Sequence, residues 1–328
     1  LRTAIDFSKQ GMRKPYDPSL ESHQLGAVLV AAVFETFTTL FRRKTEALLR
    51  VASQGTGVLP AGELPRDLQD LLARKAAKLA SQILTICIRA IDYCPPVDIT
   101  FGEYLRAVIT ADMDLVPDDP WAYREAWLDS FRARGIFPAG VKYLSEDAVV
   151  WRAPQRPLPE VPELSFANLQ FKGDPSHPME EAEVHRQAEA LARLVCSVDN
   201  AALFGLVGPD DPALDGDLVE PPVIESIRSS RRVGPDAQIE FDLIAEVTQL
   251  RYAKGPDGRL FPFYGGATVI TGPNGDVRYT IVKGTASRDR LARQVEFLAT
   301  RQGQAMWKIE GHSLAPLDEP FRLLHEEK

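Results

Sequence analysis

The chain has 328 residues, 45% hydrophobic and 26% charged, an ordinary globular composition whose length suits two domains or one large one. Its formal net charge of −8 and pI of about 5.3 leave no basic footprint for DNA or RNA, so nucleic acid is excluded as the expected partner. The short basic runs Arg42-Arg43-Lys44 and Arg231-Arg232 read as solvated surface. Cys87, Cys94 and Cys196 are too few and too scattered for a disulfide framework. They fit a reducing compartment, which favours the cytoplasm. No signal-peptide pattern is visible. The first residue is Leu1 rather than Met, so the expectation is a fragment or processed product of something longer.

Residues 1–23 read as loop, with Ser19, Glu21 and Ser22 offering caps for the first helix. The stretch 26–52, GAVLVAAVFETFTTLFRRKTEALLRVA, organises the chain. Its first nine residues are almost wholly apolar, which predicts a helix buried on all sides. Charges arrive too soon after that run for it to span a membrane. Gly55, Gly57 and Pro60 stop the helix. Glu63-Leu64-Pro65 opens the second, which runs to about Tyr93 with Leu68, Leu72, Leu79, Ile83 and Ile86 on its apolar stripe. Cys87 lies in that helix as a small buried hydrophobe. After Pro95-Pro96, Thr100 with Glu103 three residues on predicts a capping box and a third helix. Asp119-Pro120 predicts the start of a fourth, ended by Gly135, and the four make a compact bundle.

Pro154, Pro157, Pro159 and Pro162 then mark a semi-rigid connection. The expected division is a helical domain over 1–150, a Pro-rich connection over 151–176, and an α+β accessory domain over 177–328. A helix is predicted over 179–196, with acidic residues in its first turn. Residues 238–249, QIEFDLIAEVTQ, alternate as a half-buried strand in which only Ile244 interrupts the polar side. The turn signals Gly-Pro-Asp-Gly (255–258) and Gly-Pro-Asn-Gly (272–275) lead into strands at 261–271 and 277–282. Together they predict a three-stranded antiparallel meander, to which VIESIRSSRRV (223–233) adds a fourth strand. Ser287 starts a terminal helix over the sheet, and 312–328 form a tail without a clear period. The expected fold class is thus a mainly α-helical domain followed by a small α+β domain with an antiparallel meander.

The chemistry-bearing motifs are sparse. The sequence contains no H-E-x-x-H, C-x-x-C, G-x-S-x-G or phosphate-binding glycine loop. His23, His177, His185, His312 and His325 never stand three or four residues apart, and His185 has no ligand partner four residues away. A zinc site would have to gather three ligands from distant segments. Asp112, Asp114, Asp118 and Asp119 form an acidic cluster that reads either as helix caps and ion pairs or as oxygen ligands for Ca²⁺, without the spacing of an EF-hand. Glu35, deep in the apolar helix, needs a partner such as Arg106. His23, just before the central helix, is the histidine of most interest.

Two stretches carry a resemblance: ESHQLGAVLVAAVFETF (21–37) and YLRAVITADMDLVPDDPWAYREAWLDSFRARGI (104–136). Over roughly residues 15–140 the chain resembles the C-terminal helical domain of gluzincin zinc metallopeptidases, especially the fungalysin branch related to thermolysin. The matching positions are His23 with Gly26, then Ala111-Asp112, then Phe131, Arg134 and Gly135. The resemblance implies hydrolysis of peptide bonds by zinc. It places the zinc ligands and the catalytic base upstream of this stretch, so none is assigned here. It gives His23 the role of candidate transition-state stabiliser. The family's acid after the first helix Gly is replaced by Ala27, and residues 179–328 have no counterpart.

Two functions from different classes are expected. One is the downstream portion of a zinc metallopeptidase, inactive alone and completed by an upstream H-E-x-x-H segment or partner chain, with peptide or protein as substrate. No cofactor is expected in this chain by itself, and zinc only with that segment. The other is a non-catalytic interaction or scaffold protein on a peptidase-derived helical domain. A recognition or inhibitory module that takes a peptide along a strand edge is the third reading.

Overall fold

The computed structural model of the chain describes residues 13–59, 61–62, 64–170, 179–233 and 239–317. A helical region is followed by an α+β part. The chain divides into two compact units, Leu1–Cys94 with Thr100–Trp151, and Pro95–Ile99 with Arg152–Lys328.

The helical unit holds α1 (Ser22–Ala52), α2 (Arg66–Ile91), α3 (Phe101–Leu115), α4 (Tyr123–Arg132) and the single turn α5 (Glu146–Val149). The stop expected at Pro60 and the opening at Glu63 lie outside the described residues. Glu21 caps α1 through its carboxylate. The burial of α1 differs from the all-round expectation. Val28, Ala31, Ala32, Thr36, Leu40 and Thr45 form one buried stripe, while Val30 on another side is 47% exposed. By length and composition alone α1 is apolar enough to cross a membrane, against the short-run reading, with a mean hydropathy of 1.6 in its best window. A core helix meets the same criterion. Here the helix packs on α4 and α2, where Trp127, Phe131 and Leu79 are buried.

Helix α3 starts as its sequence predicts. The Thr100 hydroxyl accepts from the Glu103 N–H at 3.3 Å, and Glu103 accepts from the Thr100 N–H at 2.9 Å. Helix α4 starts later than predicted. Asp119 (φ 35°) and Ala122 (φ 53°) are left-handed, so Pro120 and Trp121 stay in the turn and the helix begins at Tyr123. Asp119 still caps it, accepting from the N–H groups of Tyr123 at 2.8 Å and Arg124 at 2.9 Å.

In the second unit, α6 (Glu181–Val195) precedes β1 (Leu218–Val219), β2 (Val223–Val233), β3 (Ile239–Lys254), β4 (Leu260–Thr271) and β5 (Val277–Lys283). Then come α7 (Arg288–Ala299), α8 (Arg301–Met306), β6 (Trp307–Glu310) and β7 (Ser313–Pro316). Strands β2 to β5 pair antiparallel in succession, but the sheet is larger than the expected meander. Among the described residues it has seven strands and is mixed, because β7 joins β4 in parallel at Leu260↔Ser313. The tail expected from 312 onward therefore contributes a strand. Leu243, Ala245 and Val247 of β3 and Ala267 and Val269 of β4 meet Ala190, Leu191, Leu194 and Val195 of α6. Further along the same strands Ala253, Phe261 and Phe263 meet Leu291, Val295 and Leu298 of α7. The polar side of β3 is covered too: Asp242 and Ile244 are both buried, and Asp242 accepts from Arg278 at 3.2 Å.

Two glycines fix this packing. A Cβ on Gly266 (φ 146°) would lie 1.9 Å from the Val247 carbonyl oxygen, inside the β3–β4 ladder. One on Gly275 (φ 82°) would lie 2.2 Å from the Val161 carbonyl. That approach lets Val161 and Phe166 donate to the carbonyls of Gly275 and Pro273 at 2.9 and 2.7 Å. The proline-rich stretch is thereby tied to the turn after β4, and Val161 and Leu164 enter the α6 core.

Candidate functional site

His23 stands in the first turn of α1, one residue inside the helix rather than before it. Its side chain is 56% exposed, and Nδ1 lies 2.6 Å from Glu21 Oε1. The same carboxylate accepts from the His23 N–H at 3.0 Å. Hydrogen bonds from the His23 backbone and ring pull the Glu21 carboxyl below its ordinary value. A carboxylate held against one imidazole nitrogen orients the ring.

Four turns along α1, Glu35 points into the unit. The partner expected was Arg106; the partners found are Arg134, at 2.8 Å, and Arg13, whose Nε and Nη2 donate at 3.2 and 2.5 Å. Arg106 instead lies over the Trp151 ring, 4.9 Å from its centroid. Arg134 is fully buried, and burial pulls its guanidinium below the ordinary value against the pull of Glu35. Beside it, the Thr36 and Ser130 hydroxyls meet at 2.8 Å. The two stretches that carry the family resemblance thus meet along one α1–α4 seam, and the polar groups at that seam hold helices together.

The acidic cluster is gathered around Arg124, a residue without a part in the sequence reading. Arg124 is 5% exposed. It donates to Asp112 at 3.1 Å, to Glu146 at 2.6 Å and to the carbonyls of Val116 and Pro117 at 2.8 Å each, and Asp119 lies 4.0 Å away. Burial pushes the Asp112 carboxyl up to about 6, with Asp119 and Glu146 adding to the rise and Arg124 opposing it. Asp114 accepts from the Tyr93 hydroxyl at 2.7 Å. Of the two readings of this cluster, the caps and ion pairs are what the geometry contains. No group of three His, Cys, Asp or Glu among the described residues is placed to hold a metal ion.

Against this network, with Asp112 and Asp119 in its lining, a cleft of about 510 Å³ opens between α1, α2 and the α3–α4 turn. Lys44, Lys75 and Lys78 line it together with Asp112, Asp119, Trp121 and apolar side chains such as Leu79 and Ile86. Lys75, Leu79, Gln82 and Ile86 recur at spacings of four, three and four, which sets them on one face of α2. Lys44 Nζ lies 4.8 Å from the Tyr123 ring centroid and 5.2 Å from that of Trp121. Burial lowers the Lys44 pKa, and the charges of Lys78 and Lys75 lower it further. The Arg42-Arg43-Lys44 run is therefore not plain solvated surface. Arg43 donates to the Ala122 carbonyl at 2.8 Å and to Glu125 at 2.7 Å, and Lys44 is half-buried in the cleft.

The remaining candidates lie apart. His185 is exposed and does have a neighbour one turn on, Glu189 at 3.1 Å, which corrects the reading of it as partnerless at that spacing. His177 and His325 lie outside the described residues. Cys87 is half-buried, Cys94 buried and Cys196 exposed, and all three are free thiols. No protein-family model, curated protein or solved structure matches the chain.

Sequence reasoning passes over Arg124 and the three lysines for one reason. Arg124 and Lys44 lie on different segments from their partners, and only Lys75 and Lys78 share a helix. The one local signal is the four-three-four rhythm that Lys75 shares with Leu79, Gln82 and Ile86.

Proposed function

We propose that the helical unit is the C-terminal helical domain of a gluzincin-like zinc metallopeptidase, and that it acts on peptide bonds when joined to an upstream H-E-x-x-H segment or chain. What supports this reading is the seam between residues 21–37 and 104–136. The stretches that resemble the family pack on each other through Glu35–Arg134 and Thr36–Ser130. They leave His23 solvent-exposed at the end of α1, oriented by Glu21. An imidazole N–H there would donate to the oxyanion formed as water attacks a peptide carbonyl. Zinc, on this reading, polarises that carbonyl and activates the water. The described residues do not fit zinc by themselves, since it needs three or four side-chain ligands and no such group is present among them. The ligands would come from the upstream segment.

The test is the metal content and intact mass of the protein isolated from its native source, followed by peptide hydrolysis with and without chelator. Stoichiometric zinc, an H-E-x-x-H chain in the same species and chelator-sensitive cleavage are expected. His23→Ala should then lower kcat on the order of 10²-fold with little change in KM, because an oxyanion donor acts in the transition state. A metal-free native species that cleaves no peptide would overturn the peptidase reading. It would favour the second one, a non-catalytic interaction protein on a peptidase-derived helical scaffold. That reading draws on the absence of H-E-x-x-H from these 328 residues and on the added sheet unit.

A further inference from the structure

The lysine-lined cleft has no part in that reading. Lys44 lies 21 residues beyond His23 on the same helix, about 30 Å along its axis. The two ends of α1 are therefore separate places.

Three ammonium groups share this cleft in a chain whose net charge is −8. Like charges brought together repel, and the lowered pKa of Lys44 records that cost together with its burial. Against these three the lining sets two carboxylates, Asp119, whose charge acts on Lys44, and Asp112, which Arg124 takes. Asp119 accepts from two backbone N–H groups, and Asp112 accepts from Arg124. The cleft thus holds positive charge in excess of what its own walls neutralise. Lysine is a strong point-charge partner for phosphate, and a phosphate ester carries between one and two negative charges at neutral pH. Beside the lysines stands Trp121, with Lys44 Nζ 5.2 Å from its ring centroid and 48% of its surface exposed. An exposed indole next to a cationic cluster provides a face on which a flat ring can stack. A cleft of this size matches a small-molecule site.

We propose that the cleft binds a small phosphate ester with a planar ring, its phosphate held by Lys44, Lys75 and Lys78 and its ring laid against Trp121. The three lysines select the charge and the indole selects the ring. The ligand enters from the solvent side, where Lys75 and Lys78 are exposed.

Phenyl phosphate, inorganic phosphate and phenol are the probes, titrated into the full chain by calorimetry. Phenyl phosphate should bind below about 1 mM, inorganic phosphate more weakly and phenol not at all. Binding should weaken as salt rises, since the contact is ionic. Lys75→Gln with Lys78→Gln should weaken phenyl phosphate on the order of tenfold or more, because each charged hydrogen bond is worth about that much. Both side chains are exposed, so the fold should survive, and an unchanged thermal melt checks this. Trp121→Ala should weaken phenyl phosphate but leave inorganic phosphate unchanged. Lys142→Gln, which removes a charge outside the cleft, should change nothing. Three results would each overturn the proposal: no binding of phenyl phosphate at about 10 mM, equal binding by the double lysine variant, or equal affinity for phenyl phosphate and inorganic phosphate.

Discussion

Each unit of this protein holds a carboxylate that is almost hidden from solvent, and treats it oppositely. Asp112 in the helical unit and Glu183 on α6 are each 5% exposed. Asp112 is pushed up to about 6; Glu183 is pulled down to about 2. The difference lies in the donors. Glu183 takes both oxygens of its carboxylate to Arg186 at 2.7 Å, and accepts from the Gln187 amide at 2.6 Å and the Gln170 N–H at 3.1 Å. Asp112 has one bond from Arg124, which it shares with Glu146, while Asp119 stands close by. Burial alone does not set the direction of a carboxyl pKa. At Asp112 burial outweighs the single bond from Arg124; at Glu183 the bonds from Arg186, Gln187 and Gln170 outweigh burial.

The largest effect should come from removing the shared cation. Arg124→Met leaves Asp112 and two carbonyls without their donor in a buried place. It should cost about 3–5 kcal/mol, the usual result of breaking a buried pair. Arg186→Met should cost less, about 1–2 kcal/mol, because Glu183 keeps its amide and backbone donors and Arg186 is 31% exposed. Urea denaturation of the two variants measures both. If Arg186→Met proves the more damaging, the donor-count account of the two units fails.

The same contrast explains what could be read in the sequence. The Thr100–Glu103 capping box is legible because both partners lie within one turn and their spacing is the mechanism. The alternation of β3 is legible on the side that α6 covers. On the other side Asp242 and Ile244 are buried together, and Arg278 reaches Asp242 from β5, across the intervening strand β4. Helix α4 begins three residues later than its sequence signals, since Asp-Pro is a strong local start signal and the left-handed turn at Asp119 and Ala122 outweighs it. The β6–β7 hairpin leaves no mark in the pattern because four-residue strands carry too few side chains to show a period. The Arg124 network and the lysine cleft are gathered from positions as far apart as 44, 75, 112 and 146. Nothing local marks such a convergence, and the identity of Arg124 as its hub is set only once α3, α4 and α5 have packed.

The pH dependence of stability should split the two units further. The Asp112 carboxyl titrates at a higher pH folded than unfolded. Between about pH 4 and 6 the native state therefore holds more of this proton than the unfolded chain. Its contribution to stability should rise as pH falls through that window, by no more than about 3 kcal/mol. Glu183 works the other way. Its folded pKa is lowered, so its contribution is present above about pH 4.5 and is lost as pH falls towards 2. Denaturant midpoints measured from pH 3 to 8 should show the first effect vanish in Asp112→Asn and the second in Glu183→Gln.

The smallest effect makes the sharpest comparison. Asparagine copies the neutral form of Asp112, and ionising Asp112 is the disfavoured state in its site. Asp112→Asn should then change stability by less than about 1 kcal/mol at pH 5 and be neutral or stabilising at pH 8, where the wild type must hold a buried charge. Glutamine copies the wrong form of Glu183, whose four donors are arranged for a carboxylate. Glu183→Gln should destabilise by about 1–2 kcal/mol at pH 8, because the amide nitrogen offers Arg186 a donor where it needs an acceptor. The two substitutions remove one charge each from positions of equal exposure, so bulk electrostatics predicts the same sign for both. Opposite signs at pH 8 would leave the local donor sets as the cause, and equal signs would put the cause in the net charge of the chain.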